Sequence, residues 1–452
     1  MIFNGTRAGA LLAGAMLTMS GTVAASGFAL IEQSASGMGN AYAGGAASAE
    51  DASTIFFNPA GMSQVKGRQV IVAGHAIKPS ATFSDQGSTT ATPPVGAPGP
   101  LNGGNGGDAG SWALVPNFYY LMDINPQAKF GLGVNAPFGL KTDYESGWKG
   151  RYQALKSEIQ TINLNPAVSY AVNDTVSLGG GINYQYIKGE LTKAIDFGTI
   201  CTFAGLSGPT CPATPQSNDG IFKLTGNDWS WGYNLGALFQ INSETRVGLA
   251  YRSKVSHELS GDANYTNVPS ALAASPSVSN TQVKLNITMP ETLSLSAASQ
   301  VGEKWLVMGD ISKTNWSQLQ ELRVRFANGA ADNVTPENWK DTYRFSIGAT
   351  YQYNEVWKSR IGFAFDKSPV SDQYRTPRVP DNDRTWLALG ASYRLSPNGS
   401  FDFGYAHLFV KDASINKTEV IASSLPSTLT ETLRGNYKNS VDILSVQYTH
   451  SF

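Results

Sequence analysis

The chain has 452 residues, with 33 Lys plus Arg against 34 Asp plus Glu, a formal net charge of −1, and 15% charged residues, where soluble domains average about 25%. That deficit argues against an all-round solvated surface, and the neutral balance supplies no basic field for a nucleic acid. A mean hydropathy of −0.19 is too polar for a bundle of membrane-spanning helices, so 47 glycines and 11% aromatics fit a sheet with one wet and one greasy face.

Residues 1–25 read as an export signal. Arg7 gives a positive start, residues 8–22 are small and apolar with Leu11, Leu12, Met16 and Leu17, and Val23-Ala24-Ala25 offers small residues for cleavage, so that the mature chain begins at Ser26. No other stretch supplies about 18 consecutive apolar residues. An exported chain without a helical anchor is periplasmic, secreted or an outer-membrane barrel. Residues 26–66 are rich in Gly, Ala and Ser and carry neither a strand alternation nor a long helical one. Two placements are open for them, a flexible periplasmic leader or a plug inside a lumen, where small residues pack closely against the wall. The apolar content favours the plug.

From residue 67 to 452 a period of two recurs, which is the signature of strands with unlike faces. Ile162, Leu164, Val168 and Tyr170 alternate with Thr161, Asn163, Ala167 and Ser169; after Asn173-Asp174 the pattern restarts with Val176, Leu178, Ile182 and Tyr184. About fourteen strands result, an even number as bacterial barrels require. They start near Arg68, Trp112, Ala128, Ser157, Thr175, Gly220, Thr245, Thr281, Lys304, Asn338, Trp357, Arg384, Ser400 and Tyr437. The polar face carries Arg246, Arg252, Arg344 and Arg360; a dry sandwich core cannot hold them, because unpaired buried charges are costly. The opposite face ends in Tyr, Trp and Phe, as expected of aromatic girdles at two membrane interfaces. Short turns at one end and long Gly/Pro-rich connections at residues 86–110 and 193–218 set periplasmic and extracellular sides, and the chain closes on Leu444, Val446, Tyr448, His450 and Phe452. The fold class is therefore an all-β transmembrane antiparallel barrel with an N-terminal hatch.

Two local features interrupt this reading. Pro137, within Ala136-Pro137-Phe138-Gly139 at the end of the third strand, cannot donate a ladder hydrogen bond; a bulge or kink results, and an interrupted ladder in a membrane barrel needs other partners. Cys201 and Cys211, the only two cysteines, bracket a turn-rich segment and are expected to form a disulfide worth about 3 kcal/mol in an oxidising compartment. Additional thiols or His for a metal are lacking around them; no cofactor is expected.

The segment from Gly27 to Gly61 resembles the N-terminal hatch of the FadL/TodX family of outer-membrane transport proteins. The resemblance rests on Glu32-Gln33-Ser34-Ala35-Ser36-Gly37, Gly39-Asn40-Ala41-Tyr42-Ala43-Gly44 and Asn58-Pro59-Ala60, supported by Trp148-Lys149-Gly150-Arg151-Tyr152, Pro290-Glu291-Thr292-Leu293, Asn315-Trp316-Ser317 and Pro380-Asp381-Asn382-Asp383-Arg384. The resemblance implies a monomeric barrel in bacterial outer-membrane lipid that passes hydrophobic molecules inward without an energy source. It also implies a loop groove, a deeper pocket touched by the hatch, and a lateral window beside the third strand where Pro137 sits. Long-chain fatty acids are the implied cargo, with neutral hydrocarbons such as monoaromatics as the alternative. Lys188 and Lys340 are then expected at the head group; Arg344 shares the inward parity of Lys340, whereas Lys188 reaches the lumen only through a bulge. Phe28, Leu30 and Ile31 become candidate pocket walls. An enzyme reading, such as a lipase, lacks a G-x-S-x-G elbow and has only His75, His257, His407 and His450 as bases; a general porin is disfavoured by the plug.

Overall fold

The computed structural model describes residues 26–90, 99–424 and 427–452; the export signal expected at 1–25 lies outside the described residues. Fourteen antiparallel wall strands close on themselves. They are β1 (Gln69–Asp85), β2 (Ala113–Asp123), β3 in two pieces (Ala128–Asn135 and Gly139–Asp143), β4 (Lys156–Ala171), β5 (Val176–Asp196), β6 (Asp219–Gln240) and β7 (Thr245–Arg252 and Val255–Thr266). There follow β8 (Thr281–Met289 and Thr292–Val301), β9 (Trp305–Thr314 and Glu321–Phe326), β10 (Thr342–Gln352), β11 (Trp357–Asp366), β12 (Arg384–Ser396), β13 (Gly399–Val410 and Ala413–Ser424) and β14 (Ser427–Ser451). Closure is β14 on β1, in register from Gln69↔Ser451 to Asp85↔Gly435.

The alternation sorts side chains as the pattern requires. Outward residues such as Trp231 (63% exposed), Ile347 (60%) and Phe409 (57%) stand bare for lipid, while Asn163, Asn165, Arg344 and Arg360 on the other parity are buried in the bore. At the short-loop end four turns are made by asparagine: Asn125, Asn173, Asn242 and Asn354 each accept backbone N–H bonds from residues two and three further on, side chains mimicking a backbone turn. At the other end a short helix (Phe197–Phe203) is tied to the following turn by the Cys201–Cys211 disulfide.

Two strand starts differ from expectation. β14 begins at Ser427 rather than Tyr437, because its first residues pair with Ala413–Ser424 as a hairpin above the greasy band, where the outward positions are Thr430, Thr432 and Arg434. No apolar row marks them. β10 begins at Thr342 rather than Asn338, because residues 337–341 leave the ladder and send Glu337 and Trp339 into the interior.

Residues 26–66 fill the lower bore. Helix α1 (Ala35–Met38) is capped by Ser34, helix α2 (Thr54–Phe57) follows, and a 3₁₀ turn spans Pro59–Gln64. Asn58 fastens the plug in both directions: its Oδ1 accepts from Ala60 N at 3.0 Å, and its Nδ2 donates to Ala46 O within the hatch at 2.7 Å and to Ala237 O on β6 at 3.0 Å. The wall meets this backbone with glycine. A Cβ added to Gly179, Gly236, Gly248 or Gly362 would come closer than 3.0 Å to Ala60, Asn58, Ala46 and Asn40 respectively; their inward position is what lets plug and wall touch. Near the periplasmic rim Arg360, its side chain 1% exposed, bonds Glu50 of the hatch at 2.7 Å and Asp402 of β13 at 2.9 Å.

Candidate functional site

The bore holds one space above the plug and another beside it. The upper one, about 810 Å³, is walled by Leu140, Ile159, Ile187, Leu259, Ile287 and Leu322, with three charged groups on its lining, Glu158, Glu337 and Arg378. Arg378 comes from the connection between β11 and β12 and is held by neutral acceptors, Nη1 donating to Ser157 Oγ at 3.0 Å and Nη2 to Gln153 O at 2.8 Å. Glu337 accepts from Trp339 Nε1 at 3.0 Å. Burial pushes its carboxyl up to about 7, against the smaller opposing pull of that hydrogen bond.

The lower space, about 1110 Å³, lies between the plug and the wall. Leu30, Ile31, Phe56, Phe57, Pro137 and Phe138 supply apolar surface, and Arg252, Arg344, Asp310 and Asp366 line it as well. Arg252 bonds Asn183 and Phe56 O and stacks on the Phe56 ring at 4.2 Å. Arg344 donates Nη2 to Ala41 O at 2.7 Å, while its buried Nε and Nη1 have no hydrogen-bond partner among the described residues. Buried donors of a cation left open toward a cavity are costly unless an acceptor arrives.

A septum of four rings separates the spaces. Phe28 of the hatch packs on Trp316 at 4.8 Å, Trp339 at 5.4 Å and Phe138 at 6.1 Å between centroids, and Trp316 meets Trp339 at 5.0 Å. Trp316 reaches this place because residues 315–320 leave β9 and turn inward, where Trp316 and Leu319 are buried. Aromatic contacts at these separations contribute about 0.5–1.5 kcal/mol each beyond area burial.

Beside the septum the wall is broken. β2 pairs with β3 only as far as Phe118↔Val134, and β2 above that point pairs with β1 alone. Residues 136–138 form no ladder with β2. Instead Leu30 N donates to Pro137 O at 2.8 Å, Gly139 N to Phe28 O at 2.9 Å and Gln33 Nε2 to Ala136 O at 3.0 Å, so the hatch serves as a substitute strand. The Phe138 N–H and C=O both go to Thr161 Oγ1, at 2.9 and 2.6 Å. A further space of about 460 Å³, lined by Pro79, Ala81, Gly110, Leu140 and Thr142, occupies the gap above. The orphan groups of the kink are thus satisfied without closing the sheet.

Of the residues singled out from sequence, Phe28, Leu30, Ile31, Pro137, Phe138 and Arg344 meet at these spaces, Ala136 and Gly139 complete the kink, and Asn58, Pro59 and Ala60 seat the plug. Lys188 and Lys340 do not join them. Lys188 is exposed on the outer face of β5, because β5 pairs continuously with β6 through Lys188↔Asn227 and no bulge turns it inward. Lys340 is exposed in the segment before β10, where strand parity does not yet operate, and lines neither space. The cations at the upper and lower spaces are Arg252, Arg344 and Arg378. Arg252 is legible in the sequence as an inward residue, but Arg378 sits in a connection with no alternation to place it.

Residues 16–452 match the family described as outer membrane protein transport protein (OMPP1/FadL/TodX). The chain is 31% identical to a long-chain fatty acid transport protein of Salmonella typhi over 418 residues, covering 90% of this chain and 92% of that one. It is 30% identical to outer membrane protein P1 of Haemophilus influenzae, covering 98% of each. A solved FadL homologue of Pseudomonas aeruginosa superimposes with a TM-score of 0.83 at 24% identity, over 94% of this chain and 99% of that one.

Proposed function

From the premise that this chain belongs to the OMPP1/FadL/TodX family of outer-membrane transport proteins, we propose that it takes up long-chain fatty acids across the outer membrane by passive lateral diffusion. Cargo enters the upper space, passes the Phe28 septum into the lower space, and leaves sideways between β2 and β3. The single observation that supports this route is the ladder break at residues 136–138, which stands beside the lower space and is patched by the hatch rather than by β2.

The chemistry favours a sideways exit. An acyl chain released through the plug would re-enter water, whereas one released through the wall stays in hydrocarbon throughout. Leu30, Ile31, Pro137 and Phe138 offer apolar contact on the way, and the open donors of Arg344 suit the head group of a carboxylate. One chain closes its own barrel and holds its own plug, so the unit of transport is a monomer. Because movement runs down a gradient, no covalent step is assigned to any residue.

Deleting Ala136, Pro137 and Phe138 tests the route by letting β3 run straight. Oleate uptake by cells carrying the variant is expected to drop by at least about tenfold, an effect of order 1.4 kcal/mol or more on the rate, while the purified barrel remains folded. Uptake equal to that of the parent protein would exclude the sideways exit. Oleate bound to the purified variant as tightly as to the parent shows the loss to be one of exit, not of capture.

A further inference from the structure

We propose that the outer face of the β9–β14 side docks phosphate-bearing lipid head groups of the leaflet at the long-loop end. On this side the outward rows of β9, β11 and β13 each pass from an apolar side chain to a lysine, while β10 between them carries Tyr343 beside Lys313. Ile311 on β9 is followed two residues on by Lys313, Phe365 on β11 by Lys367, and Phe409 on β13 by Lys411. Two residues of extended chain carry each lysine roughly 7 Å further along than the last lipid-facing side chain, Lys313 within β9 and Lys367 and Lys411 just past the strand ends at Asp366 and Val410. Lys438 on β14 extends the row, and Lys340 is exposed beside it in the segment before β10. Lys340 N donates to Pro369 O at 3.2 Å and Lys367 N to Tyr343 O at 3.3 Å, so these two are neighbours, and Lys438 follows Tyr437, which pairs with Ala413 just beyond Lys411.

The row is short of counter-charge. Lys340, Lys367, Lys411 and Lys438 are exposed, and none makes an ion pair among the described residues; Lys313 alone of the five is bridged, to Asp341 at 3.3 Å. The neighbouring carboxylates are Asp341, shared between Lys313 and Ser317 N, Asp383, whose Oδ1 accepts from Ser368 N, and exposed Asp412. The opposite side is built differently. There Lys156 is bridged to Glu158 at 2.7 Å and to Glu190 at 3.3 Å, and Lys223 to Glu190 at 3.3 Å, which leaves Lys188 as the exposed lysine of β5 without an ion pair among the described residues. An apolar band topped by uncompensated ammonium groups on one face complements a lipid that carries acyl chains below and phosphates above.

The test uses the full-length protein purified in detergent, with diphosphorylated lipid A and its dephosphorylated form as probes. The parent protein is expected to bind the diphosphorylated form, with affinity falling as salt rises, and the dephosphorylated form at least about tenfold more weakly. K340Q/K367Q/K411Q/K438Q should lose at least about tenfold in affinity for the diphosphorylated lipid, the four Lys→Arg replacements should retain it, and K156Q/K223Q should leave it unchanged. Equal binding of the two lipids, or an unchanged quadruple Gln variant, overturns the proposal. Heat-dependent gel mobility checks that each barrel is folded; should the quadruple variant not fold, the pairs K340Q/K367Q and K411Q/K438Q are each read for a partial loss, and no loss in either pair overturns it too.

Discussion

The lower and upper halves of the bore are made by the same strands and yet are opposite in kind. Below the Phe28 septum the wall turns Gly179, Gly236, Gly248 and Gly362 toward the hatch backbone, and Asn58 and Glu50 bind the plug to β6 and Arg360. Above it the same inward positions on β5, β7 and β8 carry Ile187, Leu259 and Ile287, which meet one another across open space. Small inward residues admit a plug and large apolar ones keep a cavity. A strand pattern that only alternates would do neither, so it is the size of the inward residue along each strand that divides the barrel into a seal and a chamber.

The largest effect should come from spoiling the seal. Gly362→Leu puts a side chain where the backbone of Asn40 lies, and overpacking of this sort typically costs about 1–3 kcal/mol. The hatch is expected to leave its seat, so that a steady conductance appears in planar bilayers and the melting temperature in detergent falls. Gly147→Leu is the control, because a Cβ there meets nothing within 4 Å and its backbone is not left-handed. If Gly362→Leu stays as non-conducting as the control, the seal does not depend on wall glycines.

A smaller and more selective effect is expected in the chamber below the septum. Arg344→Met removes the cation with open donors, and hydrogen bonds to charged groups contribute about 1.5–3 kcal/mol, so oleate affinity should fall by roughly tenfold to a hundredfold by calorimetry. Arg344→Lys restores part of it. Toluene binding should not respond to either change. Should oleate bind Arg344→Met as well as it binds the parent, the cargo is recognised by its chain alone, and neutral hydrocarbons become the better reading.

These features are unequally legible in the sequence. The barrel is plain because alternation is a local property: each strand shows its two faces within a few residues, and a hatch rich in Gly, Ala and Ser stands apart from it. Asn58 and Pro137 are visible for the same reason, as breaks in a local rule. The binding residues are harder, since a lumen contact depends on which parity a residue has and whether parity applies there at all. Arg344 lies within β10, where its inward direction follows from the alternation. Lys340 precedes the start of β10 at Thr342 and belongs to no strand, so sharing the parity of Arg344 says nothing about where it points. Arg378 and Trp316 enter the bore from a connection and from an excursion of β9, and nothing periodic announces either. The hairpin of β13 and β14 above the membrane is hidden for the converse reason, its outward positions Asn416, Thr418, Thr430, Thr432 and Arg434 being polar, with Val420 the one exposed apolar side chain among those described.

The upper chamber offers the finest test, because its one raised carboxyl lies in a segment outside the wall strands. Glu337 is held near 7 by burial, above the ordinary carboxylate range, so the folded protein binds its proton more tightly than the unfolded chain does. The stability this contributes is full below that ordinary range and is lost as pH rises through about 7. Ionised Glu337 also places a negative charge on the lining that a fatty-acid carboxylate shares with Arg378. Oleate affinity, measured at one fixed detergent concentration, should therefore weaken several-fold between about pH 6 and pH 8. Glu337→Gln should flatten that profile and keep the affinity of the low-pH parent, since an amide still accepts from Trp339 Nε1. A profile that persists in Glu337→Gln would move the titration to the ligand itself, and the upper chamber would then differ from the lower one only in shape, with recognition of the head group confined to Arg344 and Arg252 beneath the septum.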